Sequence, residues 1–399
     1  MLKFFSASNE MVNSKKAMED CITRSLESED GTDCDLIIFH TTMGHKFTEL
    51  TQKAREMSPS AEVVGCTCAG VVGREGAMEK IRSLAVMIVK GPKSEFAIAY
   101  KDNIRGHNSY EIAEAAAKEL KEKNPNVNMI NVLASGIDIA ADDALRGIES
   151  VFGKEMPIFG GTSSDNIKAK VNYQFINDVK LEQGAILIGF ADPSLEVLMG
   201  AHHGNNPIGM PFEVTRAEAN RIYEIDGEPA WPFLMKKLDL PVDTELGDAM
   251  AMACIGTMLP DALHEEYDNQ HILYVIIKVD KENQSFYIPV SCEVGTKFWL
   301  VQRDEKLIFS GLDRLMNKLT NELNGRKPRA VFHTDCAARG RLMFNKIEKG
   351  EIIDNMQKPL FGDNIGPWLG LYGFGEITLL GGCNTFHNQT TSLYILADS

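Results

Sequence analysis

Val63-Val64-Gly65-Cys66-Thr67-Cys68-Ala69-Gly70 and Ile158-Phe159-Gly160-Gly161-Thr162-Ser163-Ser164-Asp165 follow one pattern: an apolar pair, a glycine, then small and hydroxyl-bearing residues. Gly65 falls on Gly160 and Thr67 on Thr162. The likeness runs upstream as well. An apolar run at 35–39 precedes a helical stretch at 47–57, and a similar run at 130–134 precedes one at 141–152. Downstream, strands are predicted at 84–89 and 96–100 after the first segment, and at 185–189 and 195–199 after the second. A β-α-β-β-β unit therefore occurs twice, at about 30–100 and 125–200. Such a unit has one apolar sheet face too many to stand alone, so the copies are expected to pack together. The helix at 141–152 agrees: Leu145, Ile148 and Phe152 make one apolar stripe, with Asp142 and Asp143 in the first turn, where the helix dipole favours negative charge.

Gly204, Asn205, Asn206, Pro207, Gly209 and Pro211 read as a linker, because glycine and proline punctuate and no apolar period survives. That stretch divides the chain into an N-terminal domain, 1–205, and a C-terminal domain, 212–399. The second half is expected to hold a helix at 230–238, a hairpin from 272–279 to 284–290 and an amphipathic helix at 310–323. A strand at 331–333 should run on to Cys336, and another at 392–396 should close the fold. The fold class is α/β (α+β): a duplicated unit with packed mixed sheets flanked by helices, followed by a second α/β domain.

Bulk composition excludes several functions. The 399 residues exceed what one hydrophobic core usually fills. The net charge of −15 repels phosphate backbones, and no basic patch overrides it, so nucleic acid is not an expected partner. No stretch approaches the ~20 apolar residues of a membrane span, and the N-terminus lacks a secretory pattern, so a cytoplasmic location is expected. The 8 Cys are scattered without a zinc or disulfide spacing, which suits reduced thiols.

Four constellations carry chemistry. His333-Thr334-Asp335-Cys336-Ala337-Ala338-Arg339-Gly340-Arg341 would place a thiol near backbone N–H groups and two guanidiniums, each of which lowers its pKa. The segment from Gly373 through Gly375 and Glu376 to Asn384, His387 and Asn388 is dense in polar groups that need partners if buried, since each unpaired one costs roughly 1–3 kcal/mol. Gly160-Gly161-Thr162 with Asp165 could cradle an anion on backbone N–H groups, although it matches no nucleotide motif. His202-His203, after a predicted strand, could ligate haem or a metal.

By these residues the chain resembles the FIST family of sensory proteins, which pair a FIST N-terminal with a FIST C-terminal domain. The resemblance rests on Gly65-Cys66-Thr67-Cys68-Ala69-Gly70, Gly160-Gly161-Thr162 with Asp165, Cys336-x-x-Arg339-Gly340, Gly373-x-Gly375-Glu376-Ile377 and Phe386-His387-Asn388-Gln389-Thr390. Ala337-Ala338 and Cys68 depart from the family pattern. The resemblance implies an intracellular module that binds small molecules such as amino acids and takes part in signal transduction. In one branch it implies a haem-based nitric oxide sensor acting on a histidine kinase. No kinase, methyl-accepting or F-box segment is recognisable, so output is expected through a separate partner.

Three readings follow. In the first, a small ligand is held by Arg339 or Arg341 through a carboxylate and by Glu376, Asn384 and Asn388 through an amine. In the second, haem is held by one of His202, His203, His333 or His387. In the third, Cys336 is a nucleophile with His387 as base and Asn384 or Asn388 orienting the imidazole.

Overall fold

The computed structural model describes residues 1–399 apart from 250, 251, 253 and 341. The described residues build not two but three copies of one unit: strand, helix, strand, helix, strand, hairpin, strand. The first runs Lys3–Asn9, Ser14–Ser25, Leu36–Thr42, Phe47–Met57, Glu62–Cys68, the hairpin Val71–Gly73 with Gly76–Met78, then Leu84–Lys90. The second runs Phe96–Lys101, Ser109–Lys123, Met129–Ser135, Ala141–Phe152, Ile158–Ser163, the hairpin Gln174–Ile176 with Val179–Leu181, then Ala185–Phe190. The third is split. Its first strand is Leu195–His202, and the rest resumes with Glu305–Leu323, Pro328–Cys336, Lys346–Phe361, Trp368–Gly373, the hairpin Gly375–Leu380 with Cys383–His387, and Thr391–Asp398. The strands expected to end the two units, at 96–100 and 195–199, therefore begin the next ones.

Each copy forms a mixed sheet from four of its own strands and completes it with a hairpin from another copy. The second copy's hairpin joins the first sheet, the third's joins the second sheet, and the first's joins the third. The exchange is cyclic and in register. Gly65, Gly160 and Gly370 lie opposite Phe39, Val132 and His333 on one side, and opposite Phe175, Ile377 and Val72 of the donated hairpins on the other. The glycines are required by this closeness, since a Cβ on Gly65 or Gly160 would lie 2.4 Å from the carbonyl oxygen of Phe39 or Val132. One apolar core takes residues from all three sheets, among them Ile38, Leu133, Phe159, Phe332 and Tyr394. Helices cover the outer faces. In Ala141–Phe152, Leu145 and Ile148 are buried as their spacing requires, each burial contributing about 1.5–3 kcal/mol.

The residues between the third copy's first strand and first helix form an insert with its own eight-stranded sheet. The expected linker is in fact part of its long strand Asn205–Glu218. Asn205–Ile208 pairs with Leu300–Arg303, and Phe212 and Glu213 pair with Phe298 and Lys297. Pro207 pairs in register with Val301, and the irregularity between the two pairings falls at Gly209 and Pro211, where Gly209 takes φ +69°. The hairpin expected at 272–290 also divides, since His271–Val275 pairs with Cys254–Met258 while Lys278–Asp280 pairs with Ser285–Tyr287. Among the described residues, no helix is long and apolar enough to cross a membrane.

Candidate functional site

The three copies are an internal control, because a residue needed only for the fold recurs at equivalent positions. At the end of the second strand stand Thr41-Thr42 in the first copy and Ala134-Ser135 in the second, but Asp335-Cys336 in the third. Early in the donated hairpins, Val71 and Gln174 occupy the register position of Glu376. All of these are buried. Gln174 is satisfied by neutral partners, its amide donating to Asn172 at 2.7 Å and accepting from the Gly184 N–H at 2.6 Å. Only the third copy puts ionisable groups there.

Arg339 is 1% exposed and its Nε donates to Asp335 Oδ1 at 2.8 Å, while its Nη1 has no hydrogen-bond partner among the described residues. Burial pushes the Asp335 carboxyl up, against the pull of Arg339. Glu376 Oε2 accepts the Thr390 N–H at 3.3 Å, and Oε1 has no hydrogen-bond partner among the described residues. Burial, with the charge of Asp335, raises the Glu376 pKa well above the carboxylate range. The Cys336 thiol lowers the Glu376 pKa slightly, and the backbone N–H groups of Ala338 and Gln389 lower that of Cys336. Backbone N–H groups and two guanidiniums were expected to lower the Cys336 pKa towards a thiolate. They do not, because burial and the Glu376 charge outweigh them and raise the Cys336 pKa well above normal, while the Arg339 guanidinium is engaged with Asp335.

The other predicted residues separate into those near this cluster and those away from it. His387 lies opposite Glu376 in the hairpin register, fully buried, 5.9 Å from the Tyr267 ring, with burial holding its pKa at about 3. No hydrogen bond joins it to Cys336 among the described residues, so the pair expected of a cysteine nucleophile and its base is not formed. Asn388 is a brace: its side chain accepts the Val275 N–H at 3.0 Å and donates to the Phe374 carbonyl at 2.7 Å. Asn384 does not converge. Its Oδ1 accepts the Ile158 N–H at 3.0 Å, and its Nδ2 donates to Glu149 at 2.9 Å, which fixes it against the second copy's helix.

Asp165 gathers the N–H groups of Lys168, Ala169 and Lys170 at 2.7, 3.1 and 2.9 Å, so its carboxylate is taken up in shaping its own loop. Gly160 and Gly161 serve strand contact rather than an anion cradle: a Cβ on Gly161 would lie 2.4 Å from the Gly375 carbonyl oxygen. Gly375 in turn leaves room for the Phe386 ring, and Gly340 for Glu79. Arg341 lies outside the described residues.

His202 and His203 do not fit a haem. His203 Nε2 donates to the His271 carbonyl at 2.8 Å and its Nδ1 accepts the Asn205 N–H at 3.1 Å. His202 Nε2 donates to the Leu307 carbonyl at 3.0 Å, and its ring lies so close over Gly311 that a methyl group there would overlap it. Both rings are buried, and burial lowers their pKa to about 3 for His202 and about 4 for His203.

A cavity of about 450 Å3 opens between the insert and the third copy. Ala338 and Gln389, whose N–H groups act on the Cys336 pKa, line it together with Asn205, Cys254 and Leu300 of the insert. Among the described residues, Gln389 Oε1, on a residue at φ +59°, and Asn205 Nδ2 have no hydrogen-bond partner, and both atoms are closed off from solvent. Sequence reasoning missed Asn205 and Cys254, the first because it stood in a supposed linker. Gln389 stood in a quoted motif without a role, although its position between two buried polar residues was a usable signal.

Comparison with known proteins gives a match to the FIST N domain over residues 35–228 and to the FIST C domain over residues 228–378. An uncharacterized protein of Mycobacterium bovis is 24% identical over 216 residues, 53% of this chain and 53% of that one. One of Methanocaldococcus jannaschii is 23% identical over 217 residues, 52% of this chain and 42% of that one. The chain thus spans about half the length of these relatives. An uncharacterized protein of Mycobacterium tuberculosis is 22% identical over 349 residues, 85% of this chain and 84% of that one. Among solved structures, a cyanuric acid hydrolase from A. caulinodans aligns over 100% of this chain and 99% of its own at 8% identity and a TM-score of 0.39, too distant to bear on chemistry.

Proposed function

For this chain, which belongs to the FIST family, we propose a role as the ligand-binding module of a sensory signal-transduction system. A small molecule, an amino acid or a close relative of one, enters the cavity between the insert and the third copy. The observation that carries this reading is the meeting of both sequence motifs there: the cavity is lined by Ala338 and Gln389, whose N–H groups act on Cys336, and Cys336 and Glu376 have no ionisable counterpart at the matching positions of the other two copies. Because the cavity has one wall from each body, occupancy favours one spacing of insert and third copy over others. A signalling protein such as a histidine kinase would read that spacing.

Calorimetry and thermal shift against the amino acids and their simple N-acyl and amide derivatives test the proposal. Binding should appear for a subset and weaken at least tenfold in Gln389→Ala, which removes a buried polar contact. A complete panel without heat or thermal shift would remove the reading.

A further inference from the structure

The balance of charge and apolar surface in the cavity wall narrows the class of ligand, on the premise that this cavity is the sensory site. Its volume of about 450 Å3 falls within the roughly 300–1,000 Å3 of small-molecule sites. Most of the wall is aliphatic or thioether. Leu238, Leu300 and Met343 stand half-buried along it, while the more exposed Ile208, Met252 and Leu342, at 38%, 48% and 45%, mark its mouth. Such a wall favours an apolar chain, and its unbranched thioethers adapt to a flexible one.

The charge in the wall is of one sign. Among the described residues no carboxylate lines the cavity and Arg303 is its cation, and the four residues outside the description, Met250, Ala251, Ala253 and Arg341, include no acid. The chain as a whole carries 56 acidic side chains against 41 basic ones, so the wall reverses the balance of the molecule. Arg303 Nη1 donates to the Met343 carbonyl at 2.8 Å, which ties the guanidinium to another lining residue, and it makes no ion pair among the described residues. A guanidinium has five N–H donors, so one carbonyl leaves most of them for a bound carboxylate. An ammonium entering the same hollow would give up its water and meet no counter-charge.

We propose that the ligand is an aliphatic carboxylate without an ammonium group, the deaminated counterpart of an apolar amino acid. Its carboxylate pairs with Arg303, and its chain lies along Leu238, Leu300 and Met343. Binding is reversible, and no bond is made or broken.

The test is calorimetry on the full chain with octanoate, butanoate, octanol and 2-aminooctanoate, and with 4-methylpentanoate against leucine. Octanoate should bind at least tenfold tighter than 2-aminooctanoate, and 4-methylpentanoate at least tenfold tighter than leucine, since each pair differs by the ammonium alone. Affinity should rise about three- to fourfold per methylene from butanoate to octanoate. Arg303 is exposed, so Arg303→Gln should leave the melting temperature in place while weakening octanoate about tenfold and octanol not at all, and Arg303→Lys should restore part of the loss. Leu342→Ser, at the exposed mouth, should flatten the chain-length dependence. Amino forms that bind as tightly as their deaminated partners, or octanol that binds as tightly as octanoate, overturn this assignment and leave the sensory role standing. Absence of heat from all six compounds also overturns it, and the amino-acid panel then decides the sensory role by itself.

Discussion

Glu376 is a carboxyl where the sister copies carry Val71 and Gln174, and its ionisation should be readable as a slope of stability against pH. Burial raises its pKa in the fold, so the folded chain keeps a proton that the unfolded chain releases near pH 4.3. The stability linked to that proton is complete below that pH and is lost as pH rises towards the folded pKa, by about 1.4 kcal/mol per unit. Glu376→Gln should therefore gain on the wild type as pH climbs from about 4 to 7. Parallel melting curves would mean that the carboxyl is ionised in the fold. The buried imidazoles of His202, His203, His333 and His387 act in the opposite sense, lending stability above about pH 6.5 that fades as pH falls towards their lowered values, and they cancel in the difference. Thiol chemistry offers a second check. Cys383 is exposed and Cys336 is buried, so iodoacetamide followed by peptide mass spectrometry should label Cys383 first. Early labelling of Cys336 would contradict its raised pKa.

Among the elements, Asn388 joins the third copy to the insert. Its N–H donates to the Leu273 carbonyl at 2.9 Å, and its side chain grips Val275 and Phe374. Asn388→Ala should cost about 1–3 kcal/mol and speed hydrogen exchange at the Val275 N–H, which loses its acceptor, more than in the first copy's strands; unchanged exchange there would show that the clamp is redundant. The clamp was half legible. Asn388 and His387 stood out as polar residues needing partners, but which side of a strand they face depends on a register that only the donated hairpin fixes. Cys336, Arg339 and Glu376 were identified and do converge, whereas Asn384, at the other end of the same strand from His387, was drawn in by nearness in sequence alone. The repeat was legible twice because Gly65 and Gly160 sit in similar surroundings. Its third copy was hidden, since Gly370 is flanked by Trp368 and Tyr372, and the insert carries the first strand far from its partners.

At the scale of the whole molecule, the hairpin exchange makes the three copies mutually dependent. A fragment of residues 1–205 would lack the hairpin Gly375–His387 that covers the edge of Ile158–Ser163, and it would carry its own first hairpin without a sheet to join. Such a fragment should aggregate or give a broad, weak unfolding transition, whereas the full chain should melt its three sheets together. A sharp, independent transition in the fragment would contradict this dependence. The same exchange sets a timetable for biosynthesis. The second sheet's own strands leave the ribosome by residue 190, but the strands that finish it end at residue 387, so at 5–20 residues per second the open edge waits roughly 10–40 s. Nascent chains should therefore need a chaperone's shelter while residues 191–387 are made, and the ring can close only after the last hairpin and the strand Thr391–Asp398 have emerged.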